Sequence, residues 1–470
     1  LNAGRLFVLS DRALGTGTLT AADGTRLTFN NPANLANDVT LNGNLGVGTY
    51  FSGGTLSGVV SGSGSLTKEL SGTLTLSGAN TYEGGTFLTS GGLRLVNDGA
   101  LGMGALTASD STLIEYANGV TIGNAIALNG VVELSPTTGT SEQTGLISGD
   151  GTLNKVGTGL LLLDGANTYT GGTRISGGVL AIGSDASLGA ASSALTFSGF
   201  NNATLQLRGY WNTSRAININ AVSAKIDNFG YDADIAGSIT GGGVLALFGS
   251  GTVTLSGTNT HSGGTYLYGG RLVLTNSSAV GTGDMFANNA TTISLASAVG
   301  LNNDLEFTGD IVFDQSAGDA SFAGGITQFD TGSLTKTGAG NLVLSGASTY
   351  YGNTVVAEGT LTATSASALG STEGGTIVRD GASLALNGTF DLAESLHLSG
   401  TGVLGLGALQ QRGGQVGIDG SITLDAASTI ASYSGTLTLN GGVSGAHDLA
   451  IGGDVNIASD VQIGAGTLTM

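Results

Sequence analysis

The strongest constraint on the fold of this chain of 470 residues is a fifteen-residue segment that occurs four times. The first copy reads GTLTLSGANTYEGGT, and the copies occupy residues 72–86, 159–173, 251–265 and 340–354. One position within them recurs at steps of 87, 92 and 89 residues, as Tyr82, Tyr169, His261 and Tyr350. Repetition over such a period is typical of arrays, in which each unit packs against its neighbours rather than around one central core.

The repeated unit has the two-residue period of a β-strand. Leucines alternate with Thr, Arg or Gln in residues 74–76, 93–95, 205–207 and 437–439, and Gly-rich turns separate these runs. Leu74 and Leu93 are 19 residues apart and Leu93 and Leu113 are 20 apart, which fits one coil of a solenoid. We therefore predict an all-β parallel β-helix (solenoid), a single continuous rod of roughly 21 coils. Leu162 and Leu255 are expected on its inner face.

The whole chain, residues 1–470, is predicted to be one β-helix domain without a second domain. It contains 85 Gly and 2 Pro, and a Gly-rich chain without a period would be flexible, but here the glycines recur at fixed offsets. The landmarks divide it into about 5 super-repeats of about 88 residues. Their approximate bounds are 1–61, 62–148, 149–240, 241–331, 332–420 and 421–470.

Residues 64–68, 72–86 and 91–95 together resemble the passenger-associated repeat of bacterial autotransporters (type Va secretion). The resemblance implies a right-handed parallel β-helix exported to the cell surface of a Gram-negative bacterium. The third copy departs from it, because Leu247 replaces the lysine found as Lys68, Lys155 and Lys336, and His261 replaces tyrosine. We interpret both replacements as drift at exposed corners.

The two ends of the sequence carry no recognisable targeting or anchoring segment. The first residues lack the basic start and apolar core of a signal peptide, and no run of eighteen apolar residues occurs. We expect a fragment of a longer passenger. The resemblance implies that the outer membrane is contacted only through a C-terminal barrel outside these residues.

Residues suited to catalysis or metal binding are sparse. Cysteine is absent, and His261, His397 and His447 stand at no ligand spacing, so we expect turn or outer-face histidines. Asp227, Asp232 and Asp234 form the densest acidic cluster; such a cluster can hold Ca²⁺ or act as an acid pair, but solvated turn charges are the favoured interpretation. We predict no enzyme activity, no cofactor and no metal site.

The recurring polar residues of the repeat are expected to be structural. Asn80, Asn167 and Asn259 lie about four coils apart, too far to form one continuous binding ladder. We predict that each bonds its own backbone in an Asx turn, with the neighbouring aromatic ring packed over the corner.

Four aromatic residues are the candidate binding residues. Tyr210 and Trp211 stand where other copies have small or polar residues, and Tyr266 and Tyr268 are two residues apart on one strand face. Exposed aromatic rings on a β-face suit contact with sugar rings or a protein partner. Packing against a loop is the structural alternative, and it is the favoured interpretation.

The charge narrows the class of partner. The chain has 14 Lys and Arg against 33 Asp and Glu, a formal net charge of −19. Nucleic acid is excluded as a partner, since its binding requires a basic surface. The Thr, Ser and Asn ladders suit weak side-by-side association of identical rods.

Three functions are compatible with these observations. The first, which we favour, is a cell-surface adhesin or self-associating rod of a Gram-negative autotransporter. Its partner is a host-cell surface protein or glycan, or the same protein on a neighbouring cell. The second is a passive stalk that presents a functional domain outside these residues. The third is a polysaccharide-degrading enzyme, for which the candidate residues are Asp227, Asp232, Asp234, Arg208, Arg215 and Lys225.

Overall fold

The computed structural model describes residues 1–50, 53–199 and 203–470. Its described residues form 56 β-strands and two short 3-10 helices, Asp185–Leu188 and Val403–Gly405. The strands pair in parallel and stack as a β-solenoid of about 22 turns, so the predicted all-β parallel β-helix is confirmed. The described residues contain no helix long and apolar enough to cross a membrane.

The chain divides into two compact units, and each is described by itself. The first comprises residues 1–231 and 240–243, and the second comprises residues 232–239 and 244–470. Strand β30 (Ile239–Gly241) carries residues of both. The super-repeats of about 88 residues, with the bounds given above, stay a prediction.

Most strands of the first unit are two to five residues long, because glycine-rich turns interrupt the chain after each short apolar run. They are β1 (Arg5–Val8), β2 (Leu19–Ala21), β3 (Thr25–Phe29), β4 (Asn34–Leu35), β5 (Val39–Leu41), β6 (Leu45–Thr49), β7 (Gly54–Leu56), β8 (Val60–Ser61), β9 (Leu66–Glu69), β10 (Thr73–Leu76), β11 (Thr86–Leu88), β12 (Gly92–Leu95), β13 (Leu106–Ser109), β14 (Thr112–Tyr116), β15 (Thr121–Ile122), β16 (Ile126–Asn129), β17 (Val131–Pro136), β18 (Thr140–Gln143), β19 (Ile147–Gly149), β20 (Thr152–Lys155), β21 (Leu160–Leu163), β22 (Thr173–Ile175), β23 (Val179–Ile182), β24 (Leu195–Phe197), β25 (Thr204–Leu207), β26 (Trp211–Thr213), β27 (Ile217–Ile219) and β28 (Ser223–Asp227).

The strands of the second unit are similarly short until β52, which runs for 18 residues. They are β29 (Ala233–Ile235), β31 (Val244–Phe248), β32 (Thr252–Leu255), β33 (Thr265–Leu267), β34 (Arg271–Leu274), β35 (Met285–Ala287), β36 (Thr291–Leu295), β37 (Gly300–Leu301), β38 (Leu305–Phe307), β39 (Ile311–Asp314), β40 (Asp319–Phe322), β41 (Ile326–Gln328), β42 (Leu334–Thr337), β43 (Asn341–Leu344), β44 (Thr354–Val356), β45 (Thr360–Ala363), β46 (Gly375–Val378), β47 (Ser383–Asn387), β48 (Phe390–Leu392), β49 (Ser395–Gly400), β50 (Leu409–Gly413), β51 (Gln415–Ile418), β52 (Ile422–Leu439), β53 (Val443–Gly445), β54 (Leu449–Ile457), β55 (Val461–Gln462) and β56 (Leu468–Thr469).

The pairing register shows the length of each coil. In the first unit Leu74 pairs with Leu93, as predicted, but Leu93 pairs with Ile114 rather than with Leu113. The coil is therefore 21 residues long at this point, not 20. A shift of one residue exchanges the two faces of a strand, and the structure buries Ile114 while Leu113 stays half-exposed.

The second unit repeats these coil lengths. Val253 pairs with Leu272, Leu272 with Ile293, and Ile293 with Phe313, giving steps of 19, 21 and 20 residues. The corresponding ladder in the first unit continues from Ile114 to Leu134 after the same three steps. The sequence repeat is thus also a repeat of coil geometry.

The core of each unit is a column of stacked apolar side chains. Along most strands, buried residues alternate with residues that face outward, so each coil covers the apolar face of the next. Leu255 lies in this column as predicted, but the prediction for Leu162 is wrong. Its neighbours Leu161 and Leu163 are the fully buried residues of β21, because the alternation begins one position earlier than expected.

Candidate functional site

The lysine of the repeat is buried, and its ammonium group bonds the backbone carbonyls of a turn. The Nζ of Lys68 donates to the backbone carbonyls of the next two residues, each at 2.7 Å, and to Ser90 O at 3.1 Å. Lys155 and Lys336 each make the same three bonds, to carbonyls one, two and 22 residues later. The three donors of an ammonium group are thereby satisfied.

Burial of these lysines has an electrostatic consequence and corrects one interpretation. Desolvation lowers the pKa of Lys68 and Lys336 to about 8 and that of Lys155 to about 7. Leu247, which replaces the lysine in the third copy, is likewise buried. The replacement is therefore not drift at an exposed corner: an apolar side chain takes the place of a buried cation, whose desolvation is costly.

The aromatic residue of the repeat is also internal. Each hydroxyl lies within hydrogen-bond distance of the threonine four residues later, in the pairs Tyr82–Thr86, Tyr169–Thr173 and Tyr350–Thr354. Burial raises the pKa of Tyr82 to about 12 and raises that of the other two further. The rings therefore pack inside the corner as neutral phenols, not over it.

His261 takes the place of tyrosine in the third copy and is fully buried, so its expected position on a turn or outer face is wrong. Its Nε2 lies 2.9 Å from Thr265 Oγ1, and its Nδ1 is buried without a hydrogen-bond partner among the described residues. Desolvation lowers its pKa. By contrast, His447 is exposed and His397 is half-exposed, with its Nδ1 3.2 Å from Asp425.

The asparagines of the repeat connect neighbouring coils. Asn80 Oδ1 accepts a hydrogen bond from Val60 N at 2.8 Å, and its Nδ2 donates to Ala100 O at 2.6 Å. Asn167 and Asn259 bridge residues 20 before and 20 after them in the same way. The predicted Asx turn is therefore wrong, because the amide satisfies backbone groups of the coils on either side rather than its own.

The four candidate binding residues are divided between the two units. Tyr210 and Trp211 belong to the first unit, and Tyr266 and Tyr268 to the second. Tyr210 is 54% exposed, but Trp211 is completely buried, so the candidate role of Trp211 as an exposed binding residue is wrong. The indole Nε1 donates to Asp185 Oδ1 at 3.1 Å, and this carboxylate also pairs with the buried Arg215 at 2.9 Å.

The acidic cluster near residue 230 caps backbone amides. Asp227 Oδ1 accepts from Phe229 N and Asp232 Oδ1 accepts from Thr252 N. Within the described ranges, no set of three or more His, Cys, Asp or Glu is placed to hold a metal ion. Arg208, another candidate for catalysis, forms a half-exposed ion pair with Asp164 at 2.9 Å.

Tyr266 and Tyr268 belong to a cluster of four aromatic rings on the outer face of the second unit, as their two-residue spacing predicted. We call Phe248, Tyr266, Tyr268 and Phe286 the aromatic patch. Phe248 and Tyr268 stack with ring centroids 4.6 Å apart and planes at 8°. Phe286 lies 5.7 Å from Tyr266 and 5.6 Å from Tyr268. The four rings pack on one another, and Tyr268 is 38% exposed while the others are half-buried.

Sequence reasoning missed two members of this patch. Phe248 precedes Tyr268, and Tyr266 precedes Phe286, by 20 residues each, which is one coil. Residues one coil apart are about 4.8 Å apart across the strands, so aromatic residues at that separation stack. The 20-residue spacing is the sequence signal that would have identified Phe248 and Phe286.

The aromatic patch is a feature of the third copy. Where the third copy has Tyr266, the first copy has Phe87, which lies between Thr67 and Thr107 on the adjacent strands. Tyr266 instead lies between Ala246 and Phe286. The corresponding residues of the second and fourth copies are Arg174 and Val355.

A shallow groove of about 370 Å³ lies beside the aromatic patch. Three aromatic and three exposed acidic side chains contribute to its lining: Tyr266, Tyr268, Phe286, Asp284, Asp304 and Glu306. No Lys or Arg lines it. The groove therefore combines ring faces with negative charge.

Comparison with known proteins shows that the four repeated segments match one family model. The family model described as passenger-associated-transport-repeat matches residues 66–95, 153–182, 245–274 and 334–363. These four matches support an autotransporter passenger domain. Each matched stretch in this passenger begins within three residues before the buried lysine or its leucine replacement and includes the buried tyrosine or histidine. This assignment implies secretion to the cell surface.

The passenger is also similar to a curated adhesin. It is 30% identical over 197 residues to the adhesin BmaC autotransporter of Brucella suis biovar 1 (strain 1330). The match covers 38% of this chain and 6% of that relative, so the passenger spans a small part of the relative's length. No solved structure matches the passenger.

The geometry of the passenger distinguishes its framework from its candidate contact surface. The lysine, tyrosine and asparagine side chains described above bond inside or between coils, so they stabilise the framework. The aromatic patch and the acidic side chains beside it face outward. This face can bind a partner through ring contacts and charge, and binding rather than bond cleavage is the chemistry it suits.

Proposed function

We propose that this passenger is a cell-surface adhesin that contacts its partner through the aromatic patch. The partner is a host-cell surface protein or glycan, or the same protein on a neighbouring cell. The observation that carries the proposal is the stack of Phe248 on Tyr268 beside Tyr266 and Phe286 on an outward face. The similarity to a protein named as an adhesin supports it.

Ring contacts are a physically reasonable source of attachment here. Tyr side chains provide a large, rigid contact area, and tyrosines are enriched among the residues that dominate binding energies. The four rings hold one another in place, so less side-chain entropy is lost when a partner docks. An adhesin of this kind requires no catalytic group.

We also propose that the passenger is not an enzyme. The side chains whose pKa values depart furthest from normal are buried lysines, buried tyrosines and Glu394. Their hydrogen-bond partners are backbone carbonyls, threonine hydroxyls and, for Tyr116, Gln143 Oε1. Among the candidates for polysaccharide cleavage, Arg208 and Arg215 are engaged in ion pairs with Asp164 and Asp185. These contacts support structural roles.

Display of the passenger on bacteria tests the proposal. Residues 1–470 are joined to an outer-membrane anchor on a non-aggregating strain, and surface display is measured with an antibody. We expect displaying cells to attach to host cells or to clump. Mixing labelled displaying cells with bare cells distinguishes self-recognition from recognition of a different surface molecule. Dispersed, unattached cells with a fully displayed passenger would contradict the proposal.

A passive stalk is the second candidate function. It is favoured by the recurrence of these internal bonds. The lysine and tyrosine bonds occur in the first, second and fourth copies, and the asparagine bonds occur in the first, second and third. On this hypothesis the displayed passenger holds another domain away from the cell and attaches to nothing itself. The same display experiment therefore distinguishes the two functions.

A further inference from the structure

The groove beside the aromatic patch is negatively charged, and this charge indicates the chemical class of its ligand. We propose that the groove receives an arginine side chain of a partner protein. The inference rests on the proposed adhesin function and adds the chemistry of the contact. Its main residues are Tyr266, Tyr268, Phe286, Asp304 and Glu306.

The first argument is the uncompensated negative charge of the groove. Asp284 and Asp304 immediately precede β35 and β38, whose paired residues Met285 and Leu305 place the two carboxylates one coil apart. Like charges at this separation are destabilising unless a cation lies between or beside them. Glu306 lies beside Phe286 in the same register. In the described part of the chain, none of the three acids forms an ion pair.

The second argument is the match between a guanidinium group and this combination of surfaces. A guanidinium is planar and weakly hydrated, so it stacks on aromatic rings while its N–H groups bond carboxylates. The exposed ring of Tyr268 and the adjacent Phe286 offer the faces, and Asp304 and Glu306 offer the acceptors. A metal ion fits poorly, since no described set of three ligating side chains is arranged around one position.

The geometry of Asp304 permits a conservative test. Its Oδ1 accepts a hydrogen bond from Gly325 N at 2.7 Å. Asparagine keeps an oxygen for this bond, so Asp304→Asn removes the charge and preserves the turn. Glu306 is exposed on β38, and Glu306→Gln likewise changes charge with little change in shape.

The experiment measures binding of two peptides to the purified passenger, which is immobilised on a sensor surface. One peptide contains two arginines among uncharged residues, and the other contains citrulline, a neutral isostere, in their place. We expect the wild-type passenger to bind the arginine peptide about tenfold more tightly than the citrulline peptide. The double variant Asp304→Asn, Glu306→Gln should lose most of this preference.

A control variant with the same change in net charge separates local recognition from general attraction to an acidic protein. Glu83 and Glu373 are exposed acids outside the groove, so Glu83→Gln with Glu373→Gln is the matched control. Its preference for arginine should equal that of the wild type. Equal binding of both peptides by the wild type would overturn the inference, as would equal losses in the control and groove variants.

The same variants distinguish a failure of this inference from a failure of the proposed function. Loss of cell attachment in Tyr266→Ala, Tyr268→Ala but full attachment in the Asp304→Asn, Glu306→Gln variant would overturn the arginine ligand and leave the adhesin function supported. Equal binding of a neutral glycan by the wild type and the charge variant would also overturn the arginine ligand and leave the adhesin function supported. Full attachment without the two tyrosines would contradict the proposed contact surface itself.

Discussion

The imidazole of His261 is held by Thr265, with Nε2 2.9 Å from Oγ1, in the corner that a tyrosine hydroxyl occupies in the other three copies. The two arrangements are not equivalent. Tyrosine presents only its hydroxyl, whereas histidine brings a second polar atom, Nδ1, which is buried without a partner in the described structure. A buried polar atom that loses water without gaining a bond costs stability.

His261→Tyr should therefore stabilise the second unit, by about 1–2 kcal/mol. The measurement is the free energy of unfolding of the purified chain in denaturant, with hydrogen exchange assigning the change to residues 244–300. Tyr350→His is the reciprocal control and should destabilise by a similar amount. An unchanged or lower stability of His261→Tyr would show that the corner tolerates the free Nδ1.

From the lowered pKa of Lys155 we predict that the first unit gains stability as pH rises. Burial lowers its pKa to about 7 in the folded chain from 10.5, so the unfolded chain binds more protons between these values. Stability should rise from about pH 7 towards pH 10. Trp211 is the only tryptophan and is buried in this unit, so its fluorescence reports the unfolding. The rise attributable to Lys155 should be absent in Lys155→Met, and an equal rise in that variant would contradict the assignment.

From the raised pKa of Glu394 we predict the opposite trend for the second unit, which should lose stability as pH rises over a lower range. It is buried, accepts from Thr376 Oγ1 at 2.9 Å, and contributes to the raised pKa of Tyr350. Burial raises the pKa of Glu394 to about 7, so the folded chain binds more protons between pH 4.5 and 7. Its contribution is present at pH 4.5 and is lost as pH rises through 7, by roughly 2–3 kcal/mol.

Glu394→Gln tests this contribution, because glutamine keeps an acceptor for Thr376 and cannot ionise. The free energy of unfolding of wild type and variant is compared at pH 5 and pH 7.5. We expect the variant to lose less stability than the wild type over this interval. Parallel pH profiles of the two proteins would show that Glu394 does not titrate as described.

Two adjacent leucines test the inner column of the solenoid. Leu161 is fully buried, whereas Leu162 is half-exposed on the opposite face of β21. Leu161→Ala should cost about 2–5 kcal/mol because it leaves a cavity between coils, and Leu162→Ala should cost under half as much. Denaturant unfolding followed by Trp211 fluorescence measures both. Equal losses would be inconsistent with the observed alternation.

The backbone architecture could be predicted from the sequence because it depends on local and periodic patterns. Alternation around Leu74 and the fixed offsets of glycine indicate short strands and coils of about 20 residues. The exact register could not be predicted, since coils vary in length and the turn before Ile114 holds one residue more than expected. One such residue decides which side chains face inward.

The side-chain contacts were less predictable for a related reason. The bonds of Lys68 and Asn80 join residues 20 to 22 positions apart, so their roles depend on which coils become neighbours. A lysine in a polar turn is usually solvated, and only the placement of three carbonyls explains its burial. Trp211 is similar, because Asp185, one coil earlier, supplies the acceptor that permits burial.

The central claim is that the aromatic patch makes the adhesive contact, and one comparison tests it most directly. Bacteria displaying equal amounts of wild type, Tyr266→Ala with Tyr268→Ala, or Phe87→Ala are compared in quantitative attachment and aggregation assays. Phe87 is 41% exposed and is the residue of the first copy that corresponds to Tyr266, but threonines flank it. We predict that attachment falls at least about tenfold in the double variant and is unchanged in Phe87→Ala. Full attachment by the double variant would contradict the account.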